Sequence, residues 1–199
     1  LGDVYKRQKF ITEQLINDYK VYGLKSTILR LFNVAGAHGF NDLDIGKNVI
    51  TVLLNLIKDN RLFTLMGNDY PTPDGTCVKD FIHVDDVTEA IGKSAAKLLE
   101  PDTASQTYNL GTGKGTSLGE LIRKSIDITG KELKLRIGAA LEDEVPSLIA
   151  NNTKIKKDLG WAPQKNIDEI ITSCWKWILQ NGCLLYTSPR PRDRTRSRM

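Results

Sequence analysis

Apolar positions along the chain alternate between two periods. Phe10, Leu15, Ile16 and Tyr19 recur at helical spacing, which predicts a helix over Lys9–Tyr22, with Gly23 as its stop. Ser26–Val34 (S-T-I-L-R-L-F-N-V) is mostly apolar and reads as one strand buried on both faces. The loop Ala35-Gly36-Ala37-His38-Gly39 follows, then a helix over Gly46–Lys58 and a short strand over Leu62–Met66. Asn68–Thr76 (N-D-Y-P-T-P-D-G-T) is dense in turn formers. Cys77–Val84 returns to strand, and Asp85 or Asp86 caps a helix running to Leu99. Gln106–Leu110 is a strand ending in a glycine-rich turn. Ser117-Leu118-Gly119-Glu120 forms a capping box for the next helix. Leu133–Ile137 is a strand, and Thr153–Leu159 and Ile167–Leu179 are late helices flanking Trp161-Ala162-Pro163. Helices and strands therefore interleave, as in an α/β fold with a parallel sheet. No linker or repeat divides this pattern.

Composition changes that picture at the ends only. The 199 residues carry a formal net charge of +4, with 40% hydrophobic and 26% charged residues. Such length and composition suit a folded domain or a domain and a half. No apolar run nears the roughly 20 residues of a membrane span, and the start lacks a signal-peptide h-region, so a cytoplasmic location is expected. Three cysteines and two histidines without a C-x-x-C pattern speak against a disulfide framework or a structural zinc. The last ten residues, Arg190–Met199, hold five arginines and one aspartate. They read as a nucleic-acid arm, as a solvated tail, or as a translation artefact. The genetic code favours the third. Asp3–Gln8 can be written GAT GTG TAT AAG AGA CAG. The opposite strand of that DNA, read from its second base, encodes Cys-Leu-Leu-Tyr-Thr-Ser, which is Cys183–Ser188. Unrelated protein ends should not encode each other's complement, so residues 1–8 and 183–199 are expected to derive from a transposase sequencing adapter. Removing them leaves 21 basic and 22 acidic residues in Lys9–Gly182, a net charge of −1. The remaining cysteines, Cys77 and Cys174, are expected to be buried, inert thiols.

Four local features could carry chemistry. Asn109-Leu110-Gly111-Thr112-Gly113-Lys114-Gly115 could cradle a phosphate on backbone N–H groups, but G-x-G-x-G lacks the full dinucleotide spacing and a tight structural turn is favoured. Around Lys79-Asp80-Phe81-Ile82-His83-Val84-Asp85-Asp86, Lys79 could meet a phosphate and Asp80 or His83 could move protons. The alternative, favoured by pattern, is that these side chains satisfy backbone groups. Tyr5 and Lys9 have Y-x-x-x-K spacing, one helix turn apart, where a lysine can lower a tyrosine pKa. Tyr5 lies in the adapter-like segment. Trp161, Trp175 and Trp177 could stack on a base or sugar, although core packing is favoured for at least one.

These motifs occur in one order: Lys9-x-x-x-Glu13, Leu29-Arg30-Leu31-Phe32-Asn33-Val34-Ala35-Gly36-Ala37, Met66-Gly67-Asn68-Asp69-Tyr70-Pro71-Thr72, Asp74-Gly75-Thr76-Cys77-Val78-Lys79-Asp80-Phe81-Ile82-His83-Val84, Tyr108-Asn109-Leu110-Gly111-Thr112-Gly113, and Leu159-Gly160-Trp161-x-Pro163. The order closely resembles the C-terminal half of the UDP-glucose 4-epimerase family, within the extended short-chain dehydrogenase/reductases, across essentially all of Lys9–Gly182. D-Y-P-T-x-D-G-T separates that family from the nucleotide-sugar dehydratases. The resemblance implies the C-terminal part of a Rossmann-type parallel sheet with a smaller α/β nucleotide-sugar domain. It implies NAD as cofactor, a UDP-sugar as substrate, and reversible oxidation at sugar C4 through a 4-keto sugar. A homodimer is implied for the whole protein. The glycine fingerprint for NAD would lie upstream, so the Gly111–Gly115 turn should not be the NAD site and the 199-residue chain should be inactive.

Residue by residue, Lys9 matches the lysine on the nicotinamide ribose, and Tyr5 falls at the position of the proton-abstracting tyrosine. Asn33 matches a diphosphate contact, Asn48 and Val49 match nucleotide contacts, and Thr64 and Met66 match positions beside the uracil. Lys79 replaces the family's usual arginine on the phosphates, keeping the charge but losing the bidentate fork. Where the family has R-x-G-D, this chain has Leu141-Glu142-Asp143-Glu144. Leu141 offers no charged hydrogen bond, the nearby acids repel a diphosphate, and Glu144 could hold a ribose hydroxyl. Rival readings are another nucleotide-sugar epimerase or dehydratase, a non-catalytic UDP-sugar binder, and, from the arginine tail alone, a nucleic-acid binder.

Overall fold

A computed structural model describes residues 2–38, 48–141 and 143–181, with the backbone alone for Gly2, Asp3, Tyr5 and Lys6. The expected helix start at Gly46, the loop end at Gly39, Glu142 and the tail 183–199 lie outside the described residues. Helix α1 spans Gly2–Asp18, beginning before the predicted Lys9, and a 3₁₀ turn at Tyr19–Tyr22 carries the chain to Gly23. Strands β1 (Thr27–Leu31) and β2 (Asn33–Ala35) follow, then α2 (Val49–Lys58), β3 (Leu62–Met66), β4 (Val78–Lys79) and β5 (Phe81–His83). Helix α3 covers Val84–Leu98, β6 Gln106–Leu110, β7 Thr116–Ser117, α4 Leu118–Thr129, β8 Lys134–Gly138 and β9 Ser147–Leu148. Helices α5 (Thr153–Leu159) and α6 (Ile167–Asn181) complete the described chain. No described helix is long and apolar enough to cross a membrane.

The strands pair mainly in parallel, as the interleaved pattern predicts. β1 pairs with β6, β2 with β5 and β3 with β8, all parallel, and β4 lies between antiparallel β7 and parallel β9. Two predicted strands are corrected. The apolar run Ser26–Val34 is two strands, because the chain changes partner at Phe32, whose N–H donates to Leu110 O while Asn33 N–H donates to Asp80 O. Nor is it buried on both faces: Leu31 is half exposed, and β6 is the only strand paired with β1 among the described residues. Cys77–Val84 likewise divides at Asp80, and Val84 already belongs to α3.

Two apolar clusters hold the fold. The larger joins Ile50, Leu53, Leu54 and Ile57 of α2, Phe63 and Leu65 of β3, Leu121 of α4, and Ile170, Cys174, Trp175 and Trp177 of α6. The smaller joins Ile82, Val87, Ala90, Tyr108, Leu110, Ile155 and Trp161. All three tryptophans are therefore core residues. Trp161 is fully buried, with its Nε1 donating to Asp86 O at 3.0 Å. Burial pushes the Cys174 thiol up to about 11, and Cys77 is also buried and raised, so both are buried as expected and stay protonated.

Helix starts explain several polar residues. Asn48 caps α2: its Oδ1 accepts from Ile50 N at 2.9 Å, and its Nδ2 donates to Val34 O. Ser117 caps α4 by accepting from Glu120 N at 3.0 Å, while its hydroxyl pairs with Asp74. The α3 cap is neither Asp85 nor Asp86. His83 takes that role, its Nδ1 accepting from Asp85 N at 3.1 Å. Asp86 is unavailable because its carboxylate accepts from Gln164 N and Lys165 N at 2.9 and 3.1 Å, across the fold.

Candidate functional site

A cavity of about 340 Å³ lies at the ends of four elements. Val49 opens α2 and Leu118 opens α4, while Met66 closes β3 and Lys79 closes β4. β3 and β4 belong to separate sheets, and the cavity lies where the end of each meets the starts of the two helices. Its walls are largely apolar: Val49, Val52, Phe63, Leu65, Met66, Cys77, Leu118 and Leu141. Two charged groups, Lys79 and Glu144, are among its lining residues. Their Nζ and Oε1 atoms lie 2.6 Å apart. Lys79 and the start of α2 favour an anion at one end of the cavity, the first N–H groups of α4 being taken by Cys77 O, Thr76 Oγ1 and Ser117 Oγ, and the apolar walls suit a flat ring or a sugar face at the other.

The residues over the pocket are held closely. Tyr70 OH accepts from Leu141 N at 3.1 Å and so ties the segment after β8 to the pocket rim. Burial is the largest cause pushing the Tyr70 hydroxyl above its ordinary value, so it stays protonated. Gly67, at φ +79°, permits that contact: a Cβ there would lie 2.5 Å from the Tyr70 ring and 2.9 Å from Ala140 Cβ. Thr64 accepts from Arg136 Nη2 at 3.4 Å, across the β3–β8 pairing.

Of the residues singled out by sequence, the structure gathers Val49, Thr64, Met66, Lys79 and Glu144 around this one cavity. Asn48 adjoins it as the α2 cap. Asn33 lies one strand away, its Nδ2 donating to Asp80 O at 3.0 Å. Lys9 and Tyr5 occupy one-turn-apart positions of α1 and are not among the lining residues. Sequence reasoning missed Val52, Phe63, Leu65, Cys77 and Leu118 as lining residues. Val52 carried a periodic signal, since it shares a helix face with Val49, and Cys77 lies two residues before Lys79, just outside β4.

The other candidates resolve as structural. Asp80 is fully buried and fills the glycine turn itself. Its Oδ1 accepts from Thr112 N and Thr112 Oγ1 at 2.8 and 2.6 Å, and its Oδ2 accepts from Gly113 N and Ala150 N at 2.9 and 3.1 Å. A Cβ at Gly111 would lie 2.7 Å from Asp80 Oδ2, so glycine there admits the carboxylate. The turn's N–H groups thus already hold an anion, and no phosphate fits. His83, Ser173 and Asp85 outline a nucleophile constellation that fails on hydrogen placement. His83 Nδ1 accepts from Asp85 N, so Nε2 carries the hydrogen toward Ser173 Oγ at 3.1 Å, where a general base would need a lone pair. Ser173 Oγ also donates to Ile170 O and accepts from Ala37 N. Tyr108 is pushed up to about 12 by burial and by Asp158, the reverse of a proton-abstracting tyrosine. No group of residues that could hold a metal occurs among the described residues.

The NAD dependent epimerase/dehydratase family model matches residues 2–111. A UDP-glucose 4-epimerase of Rhizobium leguminosarum bv. trifolii is 38% identical over 179 residues, covering 87% of this chain and 54% of the relative. Among solved structures, a UDP-glucose-4-epimerase from Stenotrophomonas maltophila with bound NAD and formylated UDP-arabinopyranose superposes with a TM-score of 0.84 at 31% identity. That match covers 90% of this chain and 56% of the other. A Bifidobacterium longum UDP-glucose 4-epimerase in complex with NAD+ and UDP gives 0.78 at 29% identity, covering 89% and 55%. The chain thus spans about half the length of the relatives it matches, and its α/β architecture is that of their Rossmann-type fold.

Proposed function

The chain belongs to the NAD dependent epimerase/dehydratase family, and on that premise we propose that its 340 Å³ cavity is the nucleotide-sugar site of a UDP-hexose 4-epimerase. One observation carries this reading. Val49, the Thr64/Met66 pair, Lys79 and Glu144 come from four separate stretches of the chain, match nucleotide-contact positions of the family, and line a single pocket. Uracil packs against Thr64 and Met66 beside the apolar walls. The diphosphate meets Lys79 Nζ and the N-terminal end of α2. Asn48 holds the start of α2 rigid and so fixes the backbone at Val49. Asn33 adds its amide to the phosphate end.

NAD, when bound, supplies reversible hydride acceptance at sugar C4. The described residues that fit it are on α1. An uninterrupted helix over Gly2–Asp18 carries Lys9, which can hold the nicotinamide ribose and favour the ionised form of a tyrosine one turn before it in the whole enzyme. The Gly111–Gly115 turn does not fit the cofactor, because Asp80 fills it. The gripping residues surround the nucleotide, which leaves the sugar free to present either face.

A second reading rests on Leu141. An apolar side chain lines the pocket where the resemblance places an arginine, which favours a protein that binds a UDP-sugar without turning it over. The same assay separates the two. The complete gene product is incubated with NAD+ and UDP-glucose, and UDP-galactose is followed by coupled oxidation. Turnover supports the epimerase; UDP binding without turnover supports the binder. The 199-residue chain alone is expected to show none.

A further inference from the structure

The Lys79–Glu144 pair is built into the pocket. Lys79 ends β4, and β9, three residues after Glu144, pairs with that same strand in the register Val78↔Ser147 and Lys79↔Leu148. On the other side, Leu141 N–H is tied to Tyr70 OH and Glu144 N–H donates to Leu141 O at 3.2 Å. Glu144 is therefore anchored from both directions with its carboxylate on Lys79 Nζ at 2.6 Å. The two side chains are only 26% and 27% exposed, in a cavity whose other walls are mostly apolar. A phosphate oxygen reaching Lys79 seeks the position that this carboxylate already occupies. Leu141 supplies no second cation beside it.

We infer that Glu144 is an internal anion standing in for the ligand's phosphate. A nucleoside diphosphate enters by exchange, taking Lys79 Nζ as the Glu144 carboxylate swings away. This rests on the cavity being the nucleotide site, and it assigns Glu144 a role in selectivity. Ligands that bring phosphate must outcompete it, and a nucleoside without phosphate need not. The exchange keeps Lys79 paired in both states, so the lysine is never left as an uncompensated partly buried charge.

The test titrates the 199-residue chain and its Glu144→Gln, Glu144→Asp and Lys79→Ala variants with inorganic pyrophosphate, UDP and uridine by calorimetry. A thermal melt of each variant confirms folding. Glu144→Gln is expected to bind pyrophosphate and UDP about 3- to 10-fold more tightly, with no tightening for uridine. Glu144→Asp keeps the competing charge and should stay near the parent. The gain should vanish when Glu144→Gln is combined with Lys79→Ala. If Glu144→Gln leaves pyrophosphate affinity unchanged or weakens it while Lys79→Ala still weakens UDP, the exchange is wrong and the site stands. Weaker uridine binding with unchanged pyrophosphate would give Glu144 a ribose role alone and also overturn the exchange. If the parent chain binds no UDP, or Lys79→Ala leaves UDP affinity unchanged, the site assignment itself falls and the exchange falls with it.

Discussion

Replacing Asp80 by asparagine keeps the shape of the buried side chain and changes one carboxylate oxygen into an amide nitrogen. Each oxygen now accepts two hydrogen bonds, at 2.8 and 2.6 Å from Thr112 and at 2.9 and 3.1 Å from Gly113 and Ala150. Whichever oxygen is replaced, its backbone N–H partners face a donor. Placed toward Thr112, the amide can still be accepted by the rotated hydroxyl, and one backbone N–H is orphaned. Placed toward Gly113 and Ala150, it orphans two. Hydrogen bonds to a charged acceptor contribute about 1.5–3 kcal/mol each, and the remaining bonds lose their charge assistance. The expected destabilisation is therefore about 3–5 kcal/mol, a large part of a domain's usual stability of about 5–15 kcal/mol. Urea unfolding followed by fluorescence of the three buried tryptophans measures it. An Asp80→Asn chain within about 0.5 kcal/mol of the parent would refute the view that Asp80 is the anion the turn was built around. So would intact stability with lost ligand binding.

Two further outcomes follow from the same geometry. Burial holds the His83 imidazole below its ordinary value of 6.5, and its neutral Nδ1 is the α3 cap. Below about pH 6.5 the unfolded chain takes up a proton that the folded one resists, so stability should fall as pH drops through that window. His83→Asn, which can still cap, should flatten that part of a urea-midpoint profile between pH 7.5 and 5.5; an unchanged slope would contradict the assignment. Leu141→Arg places a guanidinium on the pocket rim beside the phosphate end. It should tighten UDP binding about 10-fold in calorimetry, and weakened binding would show that the phosphates lie elsewhere.

How far the chain could be read by itself depended on whether the deciding partner was near in sequence. Leu62–Met66 was legible to the residue, because turn formers bound it and its alternation is local. The run at Ser26–Val34 was not, because nothing in an apolar stretch tells where β6 hands over to β5 as neighbour. Asp85 and Asp86 have the composition of caps, yet Asp86 is drawn to N–H groups nearly eighty positions away and a histidine caps instead. The glycine turn showed a local anion nest, but the anion that fills it comes from a residue about thirty positions earlier. The order of the motifs pointed to residues that the structure brings round one cavity. The contact between Lys79 and Glu144 was not legible, since each had been read as facing the ligand and the β4–β9 pairing brings them together.

A crystal structure of the chain soaked with UDP tests the central claim most directly. The account predicts uracil against Thr64 and Met66, the diphosphate on Lys79 and at the start of α2, and Glu144 withdrawn from Lys79. UDP bound at the Gly111–Gly115 turn or anywhere outside this cavity, with the Lys79–Glu144 pair intact, would contradict it.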